Sequence, residues 1–466
     1  MMVGTFCIST VQGQVVTISD ELALRNDYAY SILGWVEDDM LLFRDKGSSF
    51  FIQSFNRDLH LKWEREMFLG EGRPDIIGVV AHSDRFHVLF GTRIKGIYHI
   101  MHYVYGHDVN LMDTSSLTVY ENAFVTPRIF MEESEDKSKV LLFEYQKRGL
   151  TLLSYDLNTK TIGSVSRINL EGKNLIEDFR SIIINNEGEY YIALQSNKLT
   201  QRTQYLHIYS SSPGSYLVLH DTISLGEQEL MDIHPVYDHK QSSLLVTGLY
   251  GEINANRAKG MYFVKYDNRR TPLLSYLPFD DELLTEINGR GNASLKGVSD
   301  FMVQDVALRA DGGIVVIAEM VKEFSRRSSL PMARGSGSYL RDGWVDYYFE
   351  DMILSAIHPD GSLHWEKVLR KRQYSQDDGA MYSSFMLFRT PERLRFLFND
   401  EIKQENTVGG YEVTGTGYIE RKTVFNTDYH KLKLRFKDGI QVAHNECIVP
   451  SERNNRLNLI RIKFND

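Results

Sequence analysis

A chain of 466 residues with 42% hydrophobic and 25% charged residues has the material for a sizeable core, and its formal charge of −9 lacks the basic footprint of a nucleic-acid binder. Two cysteines, Cys7 and Cys447, exclude a disulfide framework and a four-thiolate metal site. No apolar run approaches the ~18 residues of a membrane-spanning helix, so no membrane insertion is expected.

The opening Met1-Met2-Val3-Gly4-Thr5-Phe6-Cys7 has no basic leader region and resembles the later apolar run Leu244–Tyr250. This reads as a chain that begins inside a folded domain, with a terminal strand in residues 1–20. Seven blocks of four short strands follow. They span residues 30–69, 74–120, 128–170, 180–224, 231–279, 301–373 and 382–450, punctuated by turns such as Asn186-Glu187-Gly188 and Lys437-Asp438-Gly439. Helical periodicity is nearly absent, and the one short helix is expected near Asp280–Ile287. In the sixth block Ile314-Val315-Val316-Ile317-Ala318 is apolar on consecutive positions, as an inner strand buried on both faces would be. After a long polar excursion, Met352–His358 and Leu363–Val368 form a hairpin around Pro359-Asp360-Gly361.

The repeat is also visible in residues. Phe55–Arg65 aligns without gaps onto Ile357–Lys367, with Trp63-Glu64 falling on Trp365-Glu366, an offset of 302 positions or about five repeats of ~60. Arg456–Phe464 alternates and lies beyond the seventh block, as a closing strand. The pattern predicts an all-β chain forming a single seven-bladed β-propeller of four-stranded antiparallel blades, with eight blades as the alternative. Closure by both termini would bring Cys7 and Cys447 near one another, although disulfide geometry is narrow and two unpaired apolar thiols are the simpler expectation.

In such blades the second-to-third and inter-blade connections share one rim, and the length sits there: Gly251–Lys259, Leu283–Ser299, Lys322–Glu350, Arg370–Met381 and Glu401–Thr427. Long connections concentrated on one side point to a binding surface. On it, Arg326, Arg327, Arg334 and Arg341 could clamp an anionic group, beside a Gly335-Ser336-Gly337-Ser338 run. Arg372, Asp377, Asp378 and Tyr382 form the densest polar segment. The aspartate pair suits cation binding or acid–base work, and equally an ordinary polar turn. His99 and His102 point to opposite faces of one strand, so they cannot share an ion, and they and His107 are expected as surface histidines. Asn292-Ala293-Ser294 is a glycosylation sequon. No phosphate loop, nucleophile elbow or His-Glu-x-x-His occurs, and no catalytic residue, metal or cofactor is expected.

Asp360-Gly361-Ser362-Leu363-His364-Trp365-Glu366-Lys367 resembles the strand-end motif of quinoprotein-type repeat propellers. The stretch from Lys371-Arg372-Gln373 through Tyr382-Ser383-Ser384 to Leu397-Phe398-Asn399-Asp400 is similar to Bacteroidota-type cell-envelope propellers of unassigned activity. That resemblance implies a periplasmic or extracellular location, although the sequence shows no signal peptide. The expected function is a non-catalytic binding or scaffold propeller, monomeric outside a complex, engaging a protein or glycan through the long-loop rim. The alternative is a hydrolase or lyase with Asp377, Asp378 and an arginine at the axial mouth.

Overall fold

The computed structural model describes residues 14–465 except 26, 48, 71–72, 121–124, 147–148, 171–172, 175–180, 197–202, 216, 268–270, 290–295, 328–342, 403–406 and 427–431. The chain is an all-β β-propeller whose sheets are four-stranded antiparallel blades, eight of them among the described residues. It falls into two units. Unit one holds Met1–Met67, Met381–Glu412 and Glu420–Asp466; unit two holds Phe68–Ala380 and Val413–Ile419.

Unit two contains five consecutive blades, beginning at Asp75, Ile129, Lys173, Gln228 and Phe301. The predicted inner strand is there as Ile314–Arg327, and Ile314, Val316, Ile317 and Ala318 are fully buried. Ile314, Val316 and Ala318 share a core with Leu245, Leu249 and Phe263 of the preceding blade. Each such aliphatic side chain stabilises the fold by about 1.5–3 kcal/mol relative to exposure. The expected helix is Asp281–Asn288, started by Asp280, whose Oδ1 accepts the Leu283 amide at 2.8 Å.

Unit one holds the first blade (Ala29–Met67), most of the seventh, and the eighth. The eighth corrects the seven-blade expectation. Its strands Ile440–Ala443, Glu446–Arg453 and Arg456–Lys463 come from the C-terminal end, and Val15–Ile18 completes the sheet by pairing Val15 with Lys463 and Ile18 with Ile460. The block read as 382–450 therefore spans all of one blade and half of the next. The reading failed because Glu401–Thr427, taken as an excursion, holds two strands, Thr407–Thr414 and Ile419–Asn426. Gly409-Gly410 and the charged Glu420-Arg421-Lys422 had disguised them. Cys447 is buried and free among the described residues, while Cys7 lies outside them.

The aligned repeat is a structural repeat. In the first blade the register slips between Ser54 and Phe55, opposite Trp63 and Leu61; in the sixth it slips between Ala356 and Ile357, opposite Trp365 and Leu363. Both turns put a residue in the left-handed region at the aligned position, Leu59 (φ 61°) and Gly361 (φ 80°). Trp365 Nε1 donates to the Gly415 carbonyl at 3.0 Å.

The second and third blades are joined by a buried polar chain. His87 Nδ1 and His102 Nε2 lie 2.9 Å apart, and His102 Nδ1 lies 3.0 Å from the Tyr155 hydroxyl. His102 is thus fully buried, correcting its expectation as a surface residue. His99 is half-buried, on the opposite face. Burial holds His87 down at about 3, helped by the neighbouring His102 and by the positive charge of Arg85 and Lys160, and burial holds His102 at about 4. In the unfolded chain both would titrate near 6.5. The folded state binds fewer protons, so stability is complete above about 6.5 and falls as pH drops through 6.5 toward 4. Between pH 7 and 5 each histidine should remove about 2 kcal/mol of unfolding free energy. Urea unfolding at both pH values measures this, and His87→Leu should flatten the slope. Parallel losses in parent and variant would contradict the assignment.

Candidate functional site

The described parts of the sixth blade's long connection are strand. Ile314–Arg327 and Gly343–Ile357 continue past the blade as one hairpin, 14 and 15 residues long, where strands commonly run 5–6. The first strand, Phe301–Leu308, stops at the Phe301–Met320 pair. The fourth, Leu363–Leu369, stops at the Met352–Leu369 pair. The chain then steps across Arg370–Arg372 and resumes as Gln373–Gln376, which pairs with the upper half of the third strand from Phe349 to Asp346. The result is a three-stranded flap rising from a four-stranded blade.

A buried ion pair sits where blade becomes flap. Lys371 Nζ lies 2.6 Å from Glu319 Oε1, with both side chains 0% exposed. The same ammonium donates to the Phe349 carbonyl at 3.1 Å and to Gln373 Oε1 at 2.7 Å. Burial lowers the lysine from its ordinary value while Glu319 opposes the shift. Around the pair, the Lys371 amide donates to Asp351 Oδ1 at 3.2 Å, and Arg370 reaches both Asp351 and the Glu286 carbonyl of the helix. The register also slips here, between Glu319 and Val321.

Strand alternation divides the flap into two faces. On one face Lys322, Tyr348 and Tyr374 lie side by side, then Phe324, Asp346 and Gln376, with Trp344 beyond them. Phe324 meets Tyr348 edge-on at 5.9 Å, and Tyr348 meets Tyr374 at 5.0 Å. The Tyr374 hydroxyl donates to the buried Asp346 at 2.8 Å, which fixes the ring. Phe324 is nonetheless 53% exposed and Trp344 40%. The other face carries Glu323, Tyr347 and Ser375. Partial burial, then the charges of Glu323, Asp378 and Asp377, push the Tyr347 phenol up. Beyond Met320, the Lys322–Arg327 edge pairs only with the neighbouring hairpin strand among the described residues.

The expected site residues are distributed as follows. Arg326 and Arg327 belong to the flap strand, opposite Trp344 and Gly343, whereas Arg334 and Arg341 lie outside the described residues, as do the Gly335–Ser338 run and the Asn292 sequon. Arg372 is exposed at the crossing. Asp377 accepts the Val345 amide at 2.8 Å and its own amide donates to the Val345 carbonyl at 3.0 Å, with φ 54°. Asp378 accepts from Ser375 Oγ at 2.8 Å and from the Ala380 amide at 2.9 Å. Both carboxylates thus terminate the flap's short strand. Tyr382 belongs to unit one, where its hydroxyl donates to the Glu452 carbonyl at 2.7 Å. Missed altogether were Phe324, Trp344, Tyr348 and Tyr374. No period-two signal marked them, since Lys322-Glu323-Phe324-Ser325 and Trp344-Val345-Asp346-Tyr347-Tyr348 mix aromatic and polar residues on both parities inside a segment read as loop.

Unit one contains a cleft of about 450 Å³, lined by Tyr28–Ile32, Arg435, Asp438 and Glu452 among others. A smaller hollow of about 280 Å³ in the same unit surrounds Glu412, which is paired with Arg393, Arg395 and Lys422.

No family model matches the chain, and no curated protein does. Solved structures resemble it as folds. An uncharacterised protein of Listeria monocytogenes EGD-e is 8% identical over 86% of this chain and 83% of its own, with a TM-score of 0.37. An ulvan lyase is 11% identical over 83% of this chain and 92% of its own, with a TM-score of 0.36. Prolyl oligopeptidase B of Galerina marginata is 10% identical over 94% of this chain and 55% of its own, with a TM-score of 0.38. These likenesses carry no argument about activity.

Removing one partner of a buried pair leaves an uncompensated charge, so Lys371→Met should cost about 3–5 kcal/mol in chemical denaturation. Adding Glu319→Leu should recover most of that loss. A single variant as stable as the parent would remove the pair from its place in the fold.

Proposed function

We propose that this chain is a non-catalytic binding or scaffold β-propeller that engages a protein or glycan partner through the sixth-blade flap. The observation that supports this reading is the aromatic face of Trp344, Phe324, Tyr348 and Tyr374 on a projecting ribbon anchored by a buried ion pair. Large exposed aromatics on an ordered sheet leave apolar area in water that a partner can cover. Tyrosine and tryptophan supply that area at low entropic cost and are favoured where binding energy concentrates.

The open Lys322–Arg327 edge favours a protein over a glycan. Among the described residues no further strand pairs with that edge, so its backbone groups offer the ladder that an added strand completes, with Phe324 on the face beside it. The hydrolase or lyase alternative draws on Asp377 and Asp378, and each of these already accepts a main-chain amide in the turn that ends the flap. We place the protein in the cell envelope, periplasmic or surface-exposed, as a monomer until its partner binds.

A photo-crosslinking residue at position 324, with the chain expressed in its own host, tests the reading. It should yield one discrete adduct that disappears when Trp344→Ser is added and that is absent when the same group stands at Leu308, an exposed position of the same blade. Protease digestion of the adduct would identify a protein and glycosidase digestion a glycan. No adduct at 324, or the same adduct at 308, would overturn the proposal.

A further inference from the structure

The cleft of unit one is independent of the flap and has the make-up of a ligand site. Its volume of about 450 Å³ falls within the range that holds a small organic molecule. Its floor is a fixed polar network centred on Arg435. The guanidinium pairs with Glu452 through Nη1 and lies 2.5 Å from Asp438 through Nε. Nη1 also donates to the Tyr30 hydroxyl at 3.2 Å, and that hydroxyl donates to Glu452 at 3.2 Å. The Arg435 guanidinium stands 5.6 Å from the centre of the Tyr30 ring, so the arginine is held from below as well as from its ends. Burial raises the Tyr30 phenol, keeping it a neutral donor and acceptor. Ser31 adds a further hydroxyl to the wall.

At the lip stands Tyr28, 72% exposed yet positioned. Its ring lies against Gly47, where φ is 81° and an added Cβ would fall 2.3 Å from the ring edge. Its amide is tied to the Asp45 carbonyl at 2.8 Å. An exposed aromatic held by a glycine at the edge of a polar cleft offers a flat apolar surface beside ready hydrogen-bonding groups.

Charge narrows the class. Asp27 is matched by Arg44 at 2.7 Å, and Arg435 serves both Glu452 and Asp438, which leaves the lining about one negative charge in excess. Anions are disfavoured. A simple cation would meet carboxylates already shared with an arginine. A molecule whose groups each donate and accept, with one C–H face to lay on a ring, suits the cleft better. We propose that the unit-one cleft binds a neutral saccharide, with a pyranose face on Tyr28 and its hydroxyls on Tyr30, Arg435 and Glu452.

The full chain should be titrated by calorimetry with maltose, cellobiose, lactose and di-N-acetylchitobiose, alongside glucuronate as anion and cadaverine as cation. At least one neutral disaccharide should bind with millimolar affinity or better. Tyr28→Ala should weaken it about tenfold with unchanged thermal unfolding, and Tyr28→Trp should retain it. Phe324→Ser should leave it untouched, which separates this site from the flap. The inference fails if no neutral disaccharide binds, if cadaverine or glucuronate binds instead, or if Tyr28→Ala leaves the affinity unchanged.

Discussion

The flap depends on one contact, the buried Lys371–Glu319 pair. Two charges removed from water cost several kcal/mol each, and only close geometry with full hydrogen bonding offsets that. Here the ammonium lies 2.6 Å from Glu319 and donates to the Phe349 carbonyl and to Gln373. An apolar pair of similar volume could fill the same space. What an apolar pair could not do is fix where the chain leaving Leu369 re-enters the sheet. The ammonium reaches acceptors on three segments, so it sets the crossing at Arg370–Arg372 and the register of Gln373–Gln376 on Phe349–Asp346.

From that crossing follows the exposure of the aromatic face. Once the first and fourth strands have stopped, the hairpin has no blade to bury it on either side. Phe324 and Trp344 stand exposed there, while the polar Asp346 and Ser375 are buried. Tyr374 donating to the buried Asp346, and Asp377 returning two hydrogen bonds to Val345, tie the short strand in place without an apolar interior. The flap is therefore held by polar contacts at its base and margin, with Phe324 and Trp344 exposed beside them.

The blades were legible because burial writes a pattern. The consecutive apolar run at Ile314–Ala318, the Asp-led turns and the Trp63/Trp365 correspondence each survive into the structure, down to matching register slips. Segments whose strands carry no apolar period were not legible. Lys322–Arg327 and Gly343–Tyr348 read as loop because they are polar and carry no apolar period. Thr407–Thr414 was masked by its two glycines, so seven blades led the count. The terminal strands were recognised as closing the ring, and the eight-blade alternative they raised is the one the structure shows. Asp377 and Asp378 drew attention as a carboxylate pair and proved to be turn residues. The cleft of unit one joins residues some four hundred positions apart, Tyr30 with Arg435 and Glu452, and no local spacing announces it.

A platform for recognition must be ordered before its partner arrives, or the cost of ordering it comes out of the affinity. Amide hydrogen exchange of the isolated chain measures this directly. If the flap is an extension of the blade, the amides of Val345–Phe349 and Gln373–Gln376 should exchange slowly, close to those of the inner strand Ser243–Glu252. Exchange at the rate of unstructured peptide across both flap segments, with the blade strands still protected, would contradict the account.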